Sequence, residues 1–230
     1  MKHTRTILVL GCAFMAFALT ATADEGWVDL FNGKNLDGWT QLNGKAKYSV
    51  EDGCIVGTSV PNSPNSFLCT DKHYKNFILE FDFKGNPKLN SGCQIRSEST
   101  KAYRNGRVHG YQVELEDEAQ DRDWSGGIYD EARRGWLYPA EKGSDLAKKF
   151  SAQGKRLWMN GEWNHIKVEC NGDHIQTWLN GEKRADLHDS MTLSGFIGLQ
   201  VHSVGSRKEP LSVRWRNIKI KVLPDDSSKK

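Results

Sequence analysis

The chain has 230 residues, with 32 Lys and Arg against 29 Asp and Glu and a formal net charge of +3 at pH 7. So balanced a composition argues against a partner that is nucleic acid or an anionic membrane surface, because proteins with such partners concentrate positive charge. The length is ample for one domain with a hydrophobic core.

The first element is a targeting segment. Lys2 and Arg5 supply its positive charge, residues 7–19 are apolar, and Ala21, Thr22 and Ala23 form a small-residue cleavage site. This order is typical of a secretory signal peptide, which we expect at residues 1–23. The competing reading is a lipoprotein signal that ends at Cys12, but it would leave almost no apolar segment before that cysteine.

The mature chain is then expected to be a single domain at residues 24–230. It keeps 30 Lys and Arg against 29 acids, because only Lys2 and Arg5 are lost. The apolar run is too short for a comfortable bilayer span, and no later segment resembles one. We therefore expect a secreted or periplasmic bacterial protein without a membrane span.

Almost every later signal is that of a short strand. In FILEFDF, residues 77–83, apolar and polar side chains alternate with period two. Asp52-Gly53, residues 171–173 and Asn180-Gly181 have the composition of hairpin turns. GFIGLQVHS and LSVRWRNIKIKV supply the last strands, and the one predicted helix is SDLAKKF, residues 144–150. Short strands separated by turns predict an all-β, two-sheet antiparallel sandwich or jelly roll.

Residues 118–160 differ from the rest, because they are charged, rich in glycine and contain Trp124, Trp136 and Trp158. They are expected to form long connections over one mouth of the sandwich, where loops carry function. Trp124 is a candidate for contact with a ligand.

Four cysteines remain in the mature chain, namely Cys54, Cys69, Cys93 and Cys170. An oxidising compartment permits disulfides, and four thiols allow three pairings. Buried free thiols are the equally weighted alternative. No C-x-x-C spacing indicates a zinc knuckle or a redox motif.

Polar side chains alternate with apolar ones on three of the predicted strands. Same-face residues lie about 6.6 Å apart along a strand and neighbouring strands about 4.8 Å apart, so three adjoining strands would gather them on one surface. Such a surface suits a sugar, whose hydroxyls pair with polar groups and whose C–H faces stack on Tyr or Trp. A solvated outer face is the alternative, but three strands with the same choice of residues favour a site. The residues are Gln94 and Arg96 in GCQIR, Gln112, Glu114 and Glu116 in YQVELE, and Gln200 and His202 in GLQVHS. Within this group, Glu114 is predicted to lie closest to Arg96 and His202.

Seven segments resemble, in order and spacing, the 3-keto-disaccharide hydrolase domain family, formerly a domain of unknown function. They are VDLFNGKNLDGW, NSGCQIR, GYQVELED, SGGIY, GEWNHIKVECNGDHIQTWLNG, GFIGLQVH and VRWRNIKIK, and the resemblance covers residues 25–223. It implies a concanavalin A-like jelly roll, secretion and action on oxidised glycosides. The chain departs from the family pattern at Cys93, usually aliphatic, and at Gln112 and Glu114, where the family has the acid first and the amide second. One acid and one amide stay on the same face, and which of them carries a family role is left open.

The resemblance implies a carbohydrate substrate, a 3-keto-glycoside, and a particular chemistry. The ketone at C3 acidifies the C2–H bond, a base removes that proton, the aglycone leaves from C1, and water adds to the enone. His202 or a desolvated Glu114 would serve as the base. Arg96, Tyr129 or a bound divalent metal would stabilise the developing oxyanion.

A metal of that kind would need ligands, for which His202 and Glu114 are candidates, with His109 or Asp117 as a third. His109 comes just before the strand and is otherwise a candidate substrate contact, although a lone histidine is more often a simple loop residue.

Two other functions fit the same residues. A non-catalytic carbohydrate-binding module shares the sandwich fold and would have no residue with a strongly perturbed pKa. A retaining glycosidase would use Glu114 and Glu118. Four strand residues span about 13 Å, however, whereas retention needs carboxylates about 5–5.5 Å apart.

Overall fold

The computed structural model describes residues 26–116 and 122–225, which contain fifteen strands and one helix. The predicted signal peptide at 1–23, Asp117 and Glu118 lie outside these described residues. The elements, in chain order, are β1 (Trp27–Asp29), β2 (Trp39–Leu42), β3 (Lys47–Glu51), β4 (Cys54–Thr58), β5 (Ser66–Thr70), β6 (Phe77–Lys84), β7 (Ser91–Glu98), β8 (His109–Leu115), β9 (Ile128–Glu131), β10 (Gly135–Tyr138), α1 (Asp145–Leu157), β11 (Asn164–Asn171), β12 (His174–Leu179), β13 (Glu182–His188), β14 (Phe196–Val201) and β15 (Ser212–Val222).

The strands form two antiparallel sheets. One has the order β13-β12-β11-β6-β15-β4-β3, with β1 paired to β15, and the other has the order β10-β9-β8-β7-β14-β5-β2. Seven of the thirteen strand pairs join strands that are not consecutive in the chain, as in a jelly roll, and the predicted all-β sandwich is confirmed. We call the second sheet the site sheet, because it carries the pocket described below.

The core lies between the two sheets and follows the period-two pattern of the strands. In β6 the side chains of Phe77, Leu79, Phe81 and Phe83 are buried, whereas those between them are only half-buried. From the site sheet, the side chains of Tyr111, Val113 and Leu115 enter the same cluster, as do Leu199 and Val201. Burial of each large apolar side chain contributes about 1.5–3 kcal/mol, so the alternation fixes which face of each strand looks inward.

The predicted hairpin turns are present. Asp52 and Gly53 have φ values of 50° and 71°, and Asn180 and Gly181 have φ values of 49° and 87°. Both pairs thus have the positive φ that a type I′ turn requires at its two central residues. The turn at residues 171–173 joins β11 to β12 as expected.

The helix is longer than predicted, because α1 continues to Leu157 instead of ending at residue 150. Ser144 caps its N-terminus by accepting a hydrogen bond from the Ala147 amide at 3.1 Å. Gly154 lowers the helix propensity of the second half of α1. Its position nevertheless requires a glycine, because an added Cβ would lie 1.9 Å from the Asp123 carbonyl oxygen. Close packing therefore overrides local propensity.

Residues 118–160 are not only connections, as the sequence had suggested. They include the hairpin β9–β10, which pairs with β8 and extends the site sheet. They also include α1, whose Ala147 and Phe150 pack against Trp124. These strands have four residues each, too short to show a clear alternation, and their pairing with β8 supplies the order that local sequence does not.

All four cysteines of the described chain are free and buried, so no disulfide joins them. Within the described ranges no helix has both the length and the apolar composition needed to cross a membrane.

Candidate active site

The candidate site lies on the face of the site sheet that points away from the core. On this face, β8 carries Gln112 and Glu114, β7 carries Gln94 and β14 carries Gln200. Strand β7 lies between β8 and β14, so the three polar strands adjoin as predicted. Gly92 lies in register between Glu114 and Gln200 and has no side chain to separate them.

A pocket of about 370 Å³ opens over this floor. That volume falls within the range of about 300–1,000 Å³ that is typical of small-ligand sites. The residues that line the pocket are Asn65, Asn90, Arg107, Gln112, Glu114, Arg122, Tyr129, Glu131, Trp136, Gln200 and His202.

Glu114 is the carboxylate at the floor of the pocket, and only 3% of the residue is exposed. Its Oε1 accepts a hydrogen bond from Asn90 Nδ2 at 2.5 Å, and its Oε2 accepts one from Gln112 Nε2 at 3.0 Å. Burial, with a smaller contribution from the charge of Glu116, raises the pKa of Glu114 from its usual 4.5 to about 7. Near neutral pH the group can therefore both take up and release a proton.

Three glutamines form a hydrogen-bonded network beside Glu114. Gln112 Oε1 accepts from Gln94 Nε2 at 2.6 Å and from Gln200 Nε2 at 2.8 Å. Gln200 Oε1 is buried and has no hydrogen-bond partner among the described residues. A buried acceptor without a partner costs about 1–3 kcal/mol, so this arrangement is maintained against a local penalty.

Arg122 brings a positive charge to the mouth of the pocket. It donates to Glu116 Oε2 from Nη2 at 2.5 Å and lies 3.5 Å from Glu114 Oε1. Its guanidinium lies 5.0 Å from the centre of the Trp136 ring and 5.7 Å from that of Trp124. Salt-bridge and cation–π contacts thus hold Arg122 in one place.

Glu116 shares the polar face, as predicted, but does not line the pocket. Its side chain is fully buried, and besides Arg122 it binds the Trp124 amide, which donates to Oε1 at 2.7 Å. Glu116 therefore anchors Arg122. Trp124 is buried beneath Trp136, and its ring meets that of Trp136 edge to face, so it supports the pocket wall from behind.

Tyr129 and Trp136 form an aromatic wall, with ring centroids 5.2 Å apart in an edge-to-face arrangement. Burial and the nearby charges of Glu131 and Glu114 raise the pKa of Tyr129, so its hydroxyl stays protonated and can donate. Glu131, next to Tyr129 on the same face, binds Arg107 Nη2 at 2.5 Å.

His202 directly follows β14 and lines the pocket. Its Nδ1 lies 2.9 Å from the Ser203 carbonyl oxygen, which can only accept a hydrogen bond. This contact favours the tautomer with the proton on Nδ1, so Nε2 is the nitrogen that keeps a lone pair. The geometry is compatible with transfer of a proton to or from a ligand.

Arg96 does not join this group, and its expected position beside Glu114 is wrong. A β-bulge interrupts β7 between Ile95 and Glu98, and Arg96 itself has a φ of 46°. An extra residue in a strand reverses the faces that follow it. The guanidinium instead donates to the Lys75 and Gly172 carbonyls, both at 2.7 Å, at the rim of the opposite sheet. Arg96 therefore ties the two sheets together.

His109 also lies away from the pocket lining. Its ring stacks on Tyr103 with centroids 3.8 Å apart, and its Nδ1 is 2.8 Å from the Arg107 carbonyl oxygen. In the described part of the chain no three His, Cys, Asp or Glu side chains come together in an arrangement that would hold a metal ion. Asp117, the other suggested third ligand, lies outside that part.

Several lining residues were not singled out in the sequence. Glu131 lies two residues after Tyr129, itself a predicted site residue, in the alternating segment IYDE, and Trp136 lies opposite Tyr129 in the β9–β10 hairpin. That alternation was a usable signal, but only once the hairpin was recognised. Arg122 and Asn90 come from connecting segments, where no periodicity indicates direction.

Together the fold and the pocket define a class: a jelly-roll protein with a polar, carboxylate-floored cleft on the outer face of one sheet. More specifically, the chain belongs to the 3-keto-α-glucoside-1,2-lyase-like domain family, which matches residues 26–221. The resemblance seen in the sequence is therefore confirmed.

Relatives extend this comparison. A Bacteroides thetaiotaomicron protein named 3-keto-disaccharide hydrolase is 24% identical over 246 aligned residues, which cover 86% of this chain and 79% of the relative. A Parabacteroides distasonis protein, described provisionally as a glycosyl hydrolase, has a crystal structure with a TM-score of 0.58 at 24% identity, covering 87% of this chain and 95% of that one. The Bacillus licheniformis β-glucanase has a TM-score of 0.54 at 12% identity, covering 86% and 97%. These structural similarities establish the fold.

Proposed function

We propose that this protein cleaves 3-keto-glycosides by removing the C2 proton, eliminating the aglycone from C1 and adding water to the enone. The observation that carries the proposal is the buried carboxylate of Glu114, at the floor of a polar pocket, with a pKa raised to about 7. Membership of a family named for lyase action on 3-keto-α-glucosides, and a relative named for hydrolysis of 3-keto-disaccharides, support this substrate class.

Glu114 is the proposed base. Its ionised form takes the C2 proton, and the electron pair of the C–H bond forms the enolate of the C3 ketone. A carboxylate with a pKa near 7 is a stronger base than an ordinary one and is still about half ionised at pH 7. Asn90 and Gln112 hold both of its oxygens, so the carboxylate presents its remaining lone pairs in a fixed direction.

The enolate oxygen needs donors, and the pocket offers Tyr129, already a candidate from the sequence, together with Arg122, which replaces Arg96 in this role. Collapse of the enolate expels the aglycone oxygen from C1, which takes a proton as it leaves. Glu114 supplies that proton, which is the one it took from C2. His202 Nε2, which has the lone pair, then takes a proton from the water that adds at C1 and delivers it to C2, and this completes a net hydrolysis and restores both residues.

Two rival functions make different predictions. A binding module of the same fold would need no perturbed carboxylate, and the penalty of burying Glu114 beside Glu116 would then have no counterpart in function. A retaining glycosidase needs two free carboxylates about 5–5.5 Å apart at the sugar. Glu118, the partner suggested for Glu114, lies outside the described residues. Of the described acids near Glu114, Glu116 is fully buried and bound to Arg122, and Glu131, which lines the pocket, is bound to Arg107.

The test compares a 3-keto-glucoside with its unoxidised parent, each with and without a chelator, and measures release of the aglycone. We expect release from the ketone alone, with a loss of about 10²- to 10⁴-fold in Glu114→Gln. Glu169→Gln is the matched control, because Glu169 lies on β11 in the other sheet. Release from both substrates would establish a conventional glycosidase, and release from neither a binding module.

We also infer that the protein acts outside the cytoplasm, as a mature domain that begins at Asp24. The charged, apolar and small-residue order of residues 1–23 supports this inference. Sequencing the N-terminus of protein isolated from a bacterial host tests it. We expect Asp24 as the first residue, whereas retained Met1 or a lipid-linked Cys12 would contradict it.

A further inference from the structure

The glutamine network beside Glu114 has a direction. Ser97 Oγ donates to Gln94 Oε1 at 2.7 Å, so the amide nitrogen of Gln94 faces Gln112. Gln200 also presents its amide nitrogen to Gln112. Gln112 accepts both hydrogen bonds through its oxygen, and its own amide nitrogen donates a hydrogen bond to Glu114 Oε2. Each bond therefore helps to orient the next one.

The ionised carboxylate determines this direction. A carboxylate can only accept hydrogen bonds, so the Gln112 amide must turn its nitrogen toward Glu114 and its oxygen toward Gln94 and Gln200. Both neighbours must then donate. For Gln200 this leaves Oε1 buried without a partner. Rotation of the Gln200 amide by 180° would place two oxygens against each other, so the unpartnered atom follows from the orientation of Gln112.

Gly92 makes room for the arrangement. A Cβ at this position would lie 2.5 Å from Gln112 Cδ and 2.6 Å from its Cγ. The side chain of Gln112 thus lies across the backbone of Gly92 and reaches Glu114 from the side. The φ of Gly92 is not in the left-handed region, so space, and not backbone conformation, is what requires glycine here.

We propose that Gln112 is a positioning residue that fixes the orientation of the Glu114 carboxylate, with Gln94 and Gln200 holding Gln112 and with Gly92 leaving the space it occupies. The inference rests on the proposed function for its kinetic consequence, because there Glu114 is the base. Gln94 does not line the pocket and Gly92 has no side chain, so both act on a substrate only through Gln112 and Glu114.

Other charged groups face Glu114 as well. Glu116 and Arg122 lie beside it, Tyr129 lies on β9, and His202, Arg107 and Glu131 line the same pocket. The variants chosen below leave all of them unchanged. A shift in the titration of Glu114 can then be assigned to the lost amide contact.

The experiment titrates Glu114 directly, with ¹³C-carboxyl glutamate in the protein and the resonance identified by its loss in Glu114→Gln. Gln112→Met removes the donor while keeping the length of the side chain, and Gly92→Ala displaces Gln112. Loss of a donor to the ionised form raises its pKa, so we expect a higher midpoint in both variants. Gly57→Ala is the matched control, because its added methyl would be as crowded but would meet Val201 and Trp215 in the core and not the glutamine network.

Kinetics give the second readout. We expect kcat to fall by about 10- to 100-fold in Gly92→Ala, as for loss of a group that orients a reacting one, with KM nearly unchanged. The rise of rate with pH should move upward together with the midpoint. Equal midpoints in the wild type, Gln112→Met and Gly92→Ala would overturn the proposal, even if both variants had lower melting temperatures. A raised midpoint in a protein that cleaves no 3-keto-glycoside would support the positioning role and reject the proposed function.

Discussion

Burial of Glu114 predicts that the protein loses stability as the pH rises through neutrality. The perturbation is a change of pH from 5 to 9, applied to the wild type and to Glu114→Gln. In the unfolded chain the carboxyl has its usual pKa of 4.5, and in the fold the pKa is about 7. Between these values the folded state binds more protons than the unfolded state, so the free energy of unfolding decreases with increasing pH.

The magnitude follows from the two pKa values. Their difference is about 2.5, and each pKa unit corresponds to about 1.4 kcal/mol, so the full effect is about 3 kcal/mol. The contribution is complete below pH 4.5 and is lost as the pH passes through 7. Most of it falls between pH 5 and pH 9. Glu114→Gln removes the titrating group, and any mismatch of its new amide with Asn90 or Gln112 does not depend on pH.

Urea unfolding measured at intervals from pH 5 to pH 9 tests this reasoning. The wild-type free energy of unfolding, taken relative to Glu114→Gln, should fall by roughly 2–3 kcal/mol across the series. Glu169→Gln makes the same substitution on the other sheet, and the pH dependence of its free energy of unfolding should match that of the wild type. Parallel curves for the wild type and Glu114→Gln would refute a buried carboxyl with a raised pKa. A stability of the wild type, relative to Glu114→Gln, that increases with pH would mean that the fold lowers the pKa of Glu114.

Further predictions concern single residues. Arg96→Ala should lower the free energy of unfolding by about 3 kcal/mol, because the hydrogen bonds from the buried, charged guanidinium to the Lys75 and Gly172 carbonyls are lost. Activity per folded molecule should stay the same; a catalytic defect in stable protein would contradict the structural role. Trp136→Ala should weaken binding of an unreactive sugar analogue by about 2- to 13-fold, which corresponds to about 0.5–1.5 kcal/mol for an aromatic contact. Calorimetry measures this affinity. An unchanged affinity would mean that Trp136 does not contact the sugar. The four buried thiols should resist a thiol reagent in the native protein and all react in denaturant; fewer than four after denaturation would indicate a disulfide.

The fold was predictable from the sequence because its signals are local. Alternation in FILEFDF and in YQVELE fixed which side chains face the core, and paired turn residues such as Asn180-Gly181 marked the hairpins. The helix end was missed because Gly154 is accommodated by packing against Asp123, a contact that no local pattern reveals. The β9–β10 hairpin was missed for the same reason, since pairing with β8 stabilises it.

The candidate site was predictable only where strands stay regular. Gln94, Gln112, Glu114 and Gln200 follow from period two and adjoin as expected. The predicted position of Arg96 was wrong because a β-bulge turns its side chain toward the opposite sheet, and a bulge has no strong sequence signal. Arg122 could not be placed in advance, because it reaches the pocket through its contacts with Glu116 and Trp136 and not through a strand.

In the proposed mechanism, Glu114 removes the C2 proton before the aglycone is lost. The most direct measurement uses a 3-keto-glucoside with deuterium at C2 and follows the label and the aglycone together by mass spectrometry, with a reaction lacking protein as the blank. We predict that the released 3-keto sugar has exchanged its label for solvent hydrogen, and that Glu114→Gln suppresses label loss and aglycone release alike. Release of the aglycone with the C2 deuterium retained would contradict removal of the C2 proton by Glu114.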